Sequence, residues 1–185
     1  MNSSILVCAT LVCGVWLVGC SPQETAVSAE AASPTDDPCA LVTDGDVRQQ
    51  FPDATSGKRD SRLDQYGIAT CTWNSSTNTF IVQLFKAKGS AADELRSRIS
   101  GNVDPMKPGA GAKIRYETIG GVGDEAMLAV EKADAQEGIL ADSAVLVARR
   151  GERMAVMFTS ALIENERAST AKALEALALG ATRRL

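Results

Sequence analysis

An apolar N-terminal run closes on Leu17-Val18-Gly19-Cys20. These four residues constrain everything after them, because they set the compartment in which the rest of the chain folds. A lipoprotein signal needs a branched apolar residue to seat in the signal peptidase, a small residue beside the scissile bond and a thiol to take the diacylglycerol. Leu17, Gly19 and Cys20 supply all three. The run over residues 5–18 is about 14 residues long, whereas a spanning helix wants about 20 apolar residues. It therefore fits a cleaved or lipidated signal better than a permanent anchor, although Met1-Asn2-Ser3-Ser4 brings no Lys or Arg. The expectation is a signal peptide over residues 1–19, lipid on Cys20, and an exported protein held at a membrane of the cell envelope.

Export decides how the cysteines are read. Of the five Cys, Cys8 and Cys13 leave with the signal and Cys20 carries the lipid, which leaves Cys39 and Cys71. In an oxidising compartment this even pair is expected to form a disulfide. Closing a loop of about 33 residues restricts the unfolded chain by roughly 3 to 4 kcal/mol on the entropic account. The spacing is neither Cys-x-x-Cys nor a zinc set. Trp73, two residues beyond Cys71 on a strand, would share its sheet face. The chain has no His, which removes Ser-His-Asp and Cys-His nucleophile pairs and His-based zinc sites. With 19 bases against 23 acids and no basic patch apparent in the sequence, nucleic acid is not an expected partner.

Residues 20–37 are small, polar and acidic, too poor in large apolar groups to offset the entropy of ordering. They read as a lipidated flexible tether, and residues 38–185 as one globular domain. Thr43 with Asp46 is a carboxylate variant of the capping box, and Val42 can staple onto Val47 across it, so a short helix is expected up to Phe51-Pro52. Residues 53–66 are polar and read as a loop. Residues 68–74 and 79–86 read as a hairpin across Ser75-Ser76-Thr77-Asn78. A second helix begins near Ser90, with Ala92, Leu95 and Ile99 on one face, and a loop rich in Gly and Pro follows over residues 102–113. Strands are expected at 115–119, 125–130, 143–148 and 154–159, the last two joined by a charged tip at Gly151. A final helix over residues 164–179 aligns Ala171, Leu174, Leu177, Ala178 and Ala181, with Arg183 and Arg184 at the negative end of its dipole. Strands joined by short links, with helices between the groups, give an α+β fold with a largely antiparallel sheet of about five to six strands and two to three helices.

Three motifs fail on context. Asp44-Gly45-Asp46 lacks the further oxygen ligands and terminal Glu of a calcium loop and reads as helix capping. Gly121-Val122-Gly123-Asp124-Glu125-Ala126 matches the dinucleotide fingerprint but precedes a strand rather than a helix N-terminus. Its Asp124 and Glu125 would also repel pyrophosphate. Ser169-Thr170-Ala171-Lys172 spells Ser-x-x-Lys without the downstream Ser-Asp-Asn and Lys-Thr-Gly elements of the penicillin-binding enzymes. No cofactor, metal set or catalytic set is expected.

Asp37-Pro38-Cys39 before a capped helix, Cys71-Thr72-Trp73 on a strand and the later Gly121 to Ala126 segment give residues 37 to about 160 a recognisable pattern. The chain resembles the small bacterial envelope lipoproteins of unknown function that share an Asp-Pro-Cys opening and a Cys-x-Trp strand. The resemblance implies a disulfide-pinned α+β envelope domain, supports Cys20 as the lipidated residue and Cys39 with Cys71 as the bridge, and assigns no reaction. Three functions stay open. The first is a non-enzymatic, lipid-anchored protein binding another protein, a polymer or a small ligand at the outer face of a membrane. The second is a glycan hydrolase using two carboxylates, with Asp124 and Glu125 as candidates beside a Gly turn. The third is a sensory or inhibitory module.

Overall fold

The computed structural model describes residues 35–100, 114–131, 142–161 and 167–185. Residues 1–30 separate from a unit spanning Ala31–Leu185. The signal segment expected over residues 1–19, Cys20 and the loop expected over residues 102–113 lie outside the described residues.

Two short helices open the domain, and each is set by its cap. The Asp37 carboxylate accepts from the Cys39 N–H at 2.9 Å, and Pro38 sits in the first turn where a missing N–H costs nothing. This closes the single turn α1, Pro38–Leu41. In α2, Asp44–Gln50, the Thr43 hydroxyl accepts from the Asp46 N–H while the Asp46 carboxylate accepts from the Thr43 N–H, the reciprocal box expected. Val42 and Val47 are both fully buried.

The strands are β1 Lys58–Asp60, β2 Ala69–Asn74, β3 Asn78–Lys86, β4 Arg115–Thr118, β5 Glu125–Glu131, β6 Asp142–Arg150 and β7 Arg153–Ala161; α3 is Ala91–Ser100 and α4 is Arg167–Thr182. They form one sheet in the order β1-β2-β3-β7-β6-β5-β4, antiparallel throughout. The fold is α+β with one Cys39–Cys71 disulfide. Its seven strands exceed the five or six expected, because β1 falls in the stretch read as a polar loop. Lys58-Arg59-Asp60 carries no apolar alternation and is a strand only through backbone pairing with Thr70, Cys71 and Thr72 of β2. Four α-helices occur among the described residues rather than two or three. The addition is the one-turn α1, too short for any periodicity to reveal.

Two meanders, β1-β2-β3 and β4-β5-β6-β7, meet along β3 and β7, which pair over nine residues from Asn78 with Ala161 to Lys86 with Arg153. Side-chain alternation then sorts two cores. On one face Cys71, Trp73, Phe80, Val82, Leu128, Leu146 and Met157 lie under the first two helices and α4, whose Ala171, Leu174, Leu177, Ala178 and Ala181 are all buried. The alanines bring α4 close to the sheet, and its last carbonyls are met by the β6–β7 tip. Arg150 donates to the Thr182 carbonyl at 2.7 Å and Arg153 to the Leu185 carbonyl at 3.1 Å. Arg184, expected to serve the helix dipole, instead reaches Asp46 at 2.6 Å and the Leu41 carbonyl at 2.9 Å, locking α4 to the opening helices.

On the other face α3 buries Ala91 and Leu95 against Ala129, Val147, Met154 and Val156.

Candidate functional site

The two faces are covered unequally. Among the described residues α3 is the one helix on its face, and it lies over β5 and β6. It starts where Ser90 caps Asp93: the Asp93 N–H donates to the Ser90 hydroxyl at 3.0 Å. In β3 the residues facing α4, Phe80, Val82 and Leu84, are buried, whereas Ile81, Gln83 and Phe85 on the α3 face are half-buried. Neighbouring β7 repeats this at Phe158, and β6 at Val145.

The result is a cleft of about 220 Å³ beside α3, lined by Ile81, Gln83, Val145, Val156 and Phe158 with Arg98 at its rim. Arg98 is held in place from three sides. Its Nε donates to Glu94 Oε1 at 2.7 Å, Nη1 donates to Gln83 Oε1, and the guanidinium lies 5.5 Å from the centroid of the Phe85 ring. On the other flank of α3, a cleft of about 310 Å³ is lined by Ala92, Leu95, Arg96, Tyr116 and Met127, and Tyr116 on edge strand β4 is 48% exposed. A third cleft, of about 350 Å³, lies between β3 and the β6–β7 tip and includes Asp36, Leu84, Phe85 and Arg153.

Chemically, the α3 clefts offer apolar contact and fixed guanidinium donors. Arg98 and Arg96 are the titratable linings besides the Tyr116 phenol, and arginine stays charged. Ligand pockets usually run from about 300 to 1,000 Å³. Clefts at or below the bottom of that range suit protruding side chains of a partner better than an enclosed small molecule.

The expected site residues fall as follows. Cys39 and Cys71 are bridged, with Cα atoms 5.3 Å apart, and Trp73 lies on the same face as Cys71, 1% exposed. Asp44 and Asp46 act as structural acceptors. Asp44 Oδ1 takes the Gly57 N–H and the Trp73 indole N–H, both at 2.8 Å, and these bonds with the Ser56 hydroxyl hold its carboxyl below the usual range; burial opposes them, and the nearby Arg48 charge adds to the lowering. For Asp46, burial pushes upward. The bonds from Thr43 and the pairing with Arg184 outweigh it and leave the carboxyl below its ordinary value.

Asp124 and Glu125 are not brought together as an acid pair. The Asp124 carboxylate accepts the Gly151 N–H at 2.7 Å and its own N–H donates to the Arg149 carbonyl at 2.8 Å, while Glu125 stands opposite Arg149 in the β5–β6 register. The Gly-x-Gly segment is a tight turn feeding β5. Gly123, at φ +60°, lies so close to Arg149 that a Cβ would stand 2.3 Å from the Arg149 carbonyl oxygen. Lys172 is exposed on α4, and the side chain of Ser169 lies outside the described residues. Among the described residues no group of three His, Cys, Asp or Glu side chains could hold a metal ion, and no helix is long and apolar enough to cross a membrane.

Sequence reasoning passed over Ile81, Phe158 and Arg98. The signal lay in β3, where Ile81 and Phe85 on the second face continue the run of Phe80, Val82 and Leu84, so that both faces of the strand are apolar. Comparison of the chain with known protein families, curated proteins and solved structures gives no match.

Proposed function

We propose that this chain is a lipid-anchored, non-enzymatic protein of the bacterial envelope, whose domain binds a protein or polymer partner through the face that carries α3. The anchor rests on Leu17-Val18-Gly19-Cys20. Export is supported by the Cys39–Cys71 bridge, since disulfides persist in oxidising compartments. The Asp37-Pro38-Cys39 opening and the Cys71-Thr72-Trp73 strand are what liken the chain to the small envelope lipoproteins named above. The observation that carries binding is the half-buried strip Ile81, Val145 and Phe158 beside a pinned Arg98. Apolar floor with a fixed polar rim is the arrangement of interface cores.

Two measurements test the two halves. Cys20→Ala abolishes incorporation of labelled fatty acid and releases the protein from the membrane fraction; continued labelling of the variant sinks the anchor. For the α3 face, an environment-sensitive naphthalene dye brightens with the wild-type chain and much less with Phe158→Asp or Ile81→Asp, while Leu179→Asp, an exposed change on α4, leaves the signal intact. Equal signals from all four proteins remove the binding surface.

A further inference from the structure

The chain enters its domain at a defined end. The Thr35 N–H donates to the Arg184 carbonyl at 3.1 Å, and Asp36 pairs with Arg153 at 3.1 Å. Arg153 opens β7 at the β6–β7 tip, and Arg150 of the same tip bonds the end of α4 next to Arg183. Lys86 and Lys88 join them, because the Ala87 N–H donates to the Glu152 carbonyl at 2.8 Å and Lys86 pairs with Arg153 in the β3–β7 register. One end of the sheet therefore gathers Lys86, Lys88, Arg149, Arg150, Arg153, Arg183 and Arg184 in a chain whose net charge is −4.

The side-chain carboxylates at this end include Asp36, Asp37, Asp46, Asp93, Asp124, Glu125 and Glu152. Asp36 pairs with Arg153, Asp37 takes the Cys39 N–H, Asp46 pairs with Arg184, Asp93 accepts from Ser90 and pairs with Arg96, Asp124 takes the Gly151 N–H, Glu152 pairs with Lys86, and Glu125 stands opposite Arg149 in the β5–β6 register. Lys88, Arg150 and Arg183 have no carboxylate within ion-pair distance among the described residues, and Arg150 bonds a backbone carbonyl that leaves its charge uncompensated. Lys88, Arg150 and Arg183 are exposed.

We propose that this end of the domain docks on the anionic phospholipid headgroups of the membrane that holds the lipid, an inference that rests on the anchor at Cys20. Residues 20–34 separate Cys20 from Thr35, a stretch that even fully extended spans no more than about 50 Å. That short a link holds the surface at high effective concentration, so weak attraction suffices. Because the chain enters the domain beside Arg184 and Arg153, the end nearest the point of attachment is the one bearing the unpaired cations. Basic side chains next to an anionic leaflet are attracted within a Debye length and released by salt.

The test uses the full lipidated chain in vesicles of pure phosphatidylcholine or of phosphatidylcholine with phosphatidylglycerol at 4:1. A membrane-impermeant amine-acylating reagent reads Lys88 against Lys172, which lies toward the other end of α4. The expected result is a Lys88 to Lys172 modification ratio lowered several-fold by phosphatidylglycerol at low salt. The ratio recovers in 0.5 M NaCl and is raised by Arg183→Glu. An unchanged ratio in chain that carries labelled fatty acid overturns the docking and leaves the anchor standing. Chain with no fatty acid that is still protected by phosphatidylglycerol overturns the anchor and leaves the surface.

Discussion

The Trp73 indole Nε1 donates to Asp44 Oδ1 at 2.8 Å, and the same oxygen accepts the Gly57 N–H at 2.8 Å. One carboxylate oxygen thus ties α2 to β2 and to the segment between them. Asp44→Ala leaves a buried indole N–H without its acceptor, a loss of about 1–3 kcal/mol. The outcome falls at the lower end because the Asp44 side chain is 39% exposed and water can reach the gap. Asp44→Asn keeps an oxygen there and costs less. Urea unfolding followed by tryptophan emission checks the order, since Trp73 is the one Trp besides Trp16.

Gly57 lies against the Trp73 ring so closely that an added Cβ would stand 2.6 Å from it. Gly57→Ala should therefore destabilise by about 1–3 kcal/mol through overpacking and shift the Trp73 emission. Gly120, where an added Cβ meets nothing within 4 Å, is the control: Gly120→Ala stays within about 0.5 kcal/mol of wild type. Equal melting temperatures for the two variants would remove the close approach from the account.

Cys39 belongs to a single helical turn, and α2 after it is barely two turns long, lengths that do not hold themselves in water. Their docking depends on the bridge to Cys71. Cys39→Ser, Cys71→Ser and the double variant should lose similar stability, on the order of 2–5 kcal/mol. Thiol titration of the chain denatured without reductant detects the bridge: reactive thiols at Cys39 and Cys71 in the wild type would contradict it.

Asp46 gives the acid response a sign. Its folded-state carboxyl lies below the ordinary value of 3.8, so the unfolded chain binds the proton first as pH drops. The stabilisation is fully present above about pH 5 and is lost as pH falls through 3.8 toward the lower folded value. Asp44 has the same sign. Asp46→Asn should flatten the decline in unfolding free energy below pH 4 and lower stability at pH 7. A parallel pH profile for the variant would exclude this ion pair as a source of acid sensitivity.

Thr159 is fully buried on β7, and its hydroxyl has no hydrogen-bond partner among the described residues. Replacing it with the isosteric Val removes a desolvated hydroxyl from the core. Thr159→Val should raise stability by about 1 kcal/mol, seen as a higher melting temperature by calorimetry. A lower one would show that the hydroxyl is satisfied in solution.

Much of the fold was legible where local chemistry decides it. The capping box at Thr43 and Asp46, the turn at Ser75 to Asn78, the tip at Gly151 and the apolar stripe of α4 are each set by neighbours within a few residues, and each stands as read. The Cys39–Cys71 pairing was legible for another reason: once export is assumed, two cysteines have one way to pair. Strand β1 was not, because Lys58-Arg59-Asp60 holds no pattern of its own and is ordered by the β2 backbone alone.

The binding face belongs wholly to the tertiary structure. Ile81, Val145, Phe158 and Arg98 come from four elements, and they form one cleft only because β3 pairs with β7, two strands separated by more than sixty residues of sequence. A strand's own sequence states that it has two faces and which residues share each. Whether the second face is covered depends on which strands lie beside it and where α3 is set down, and those are long-range contacts that no local preference encodes.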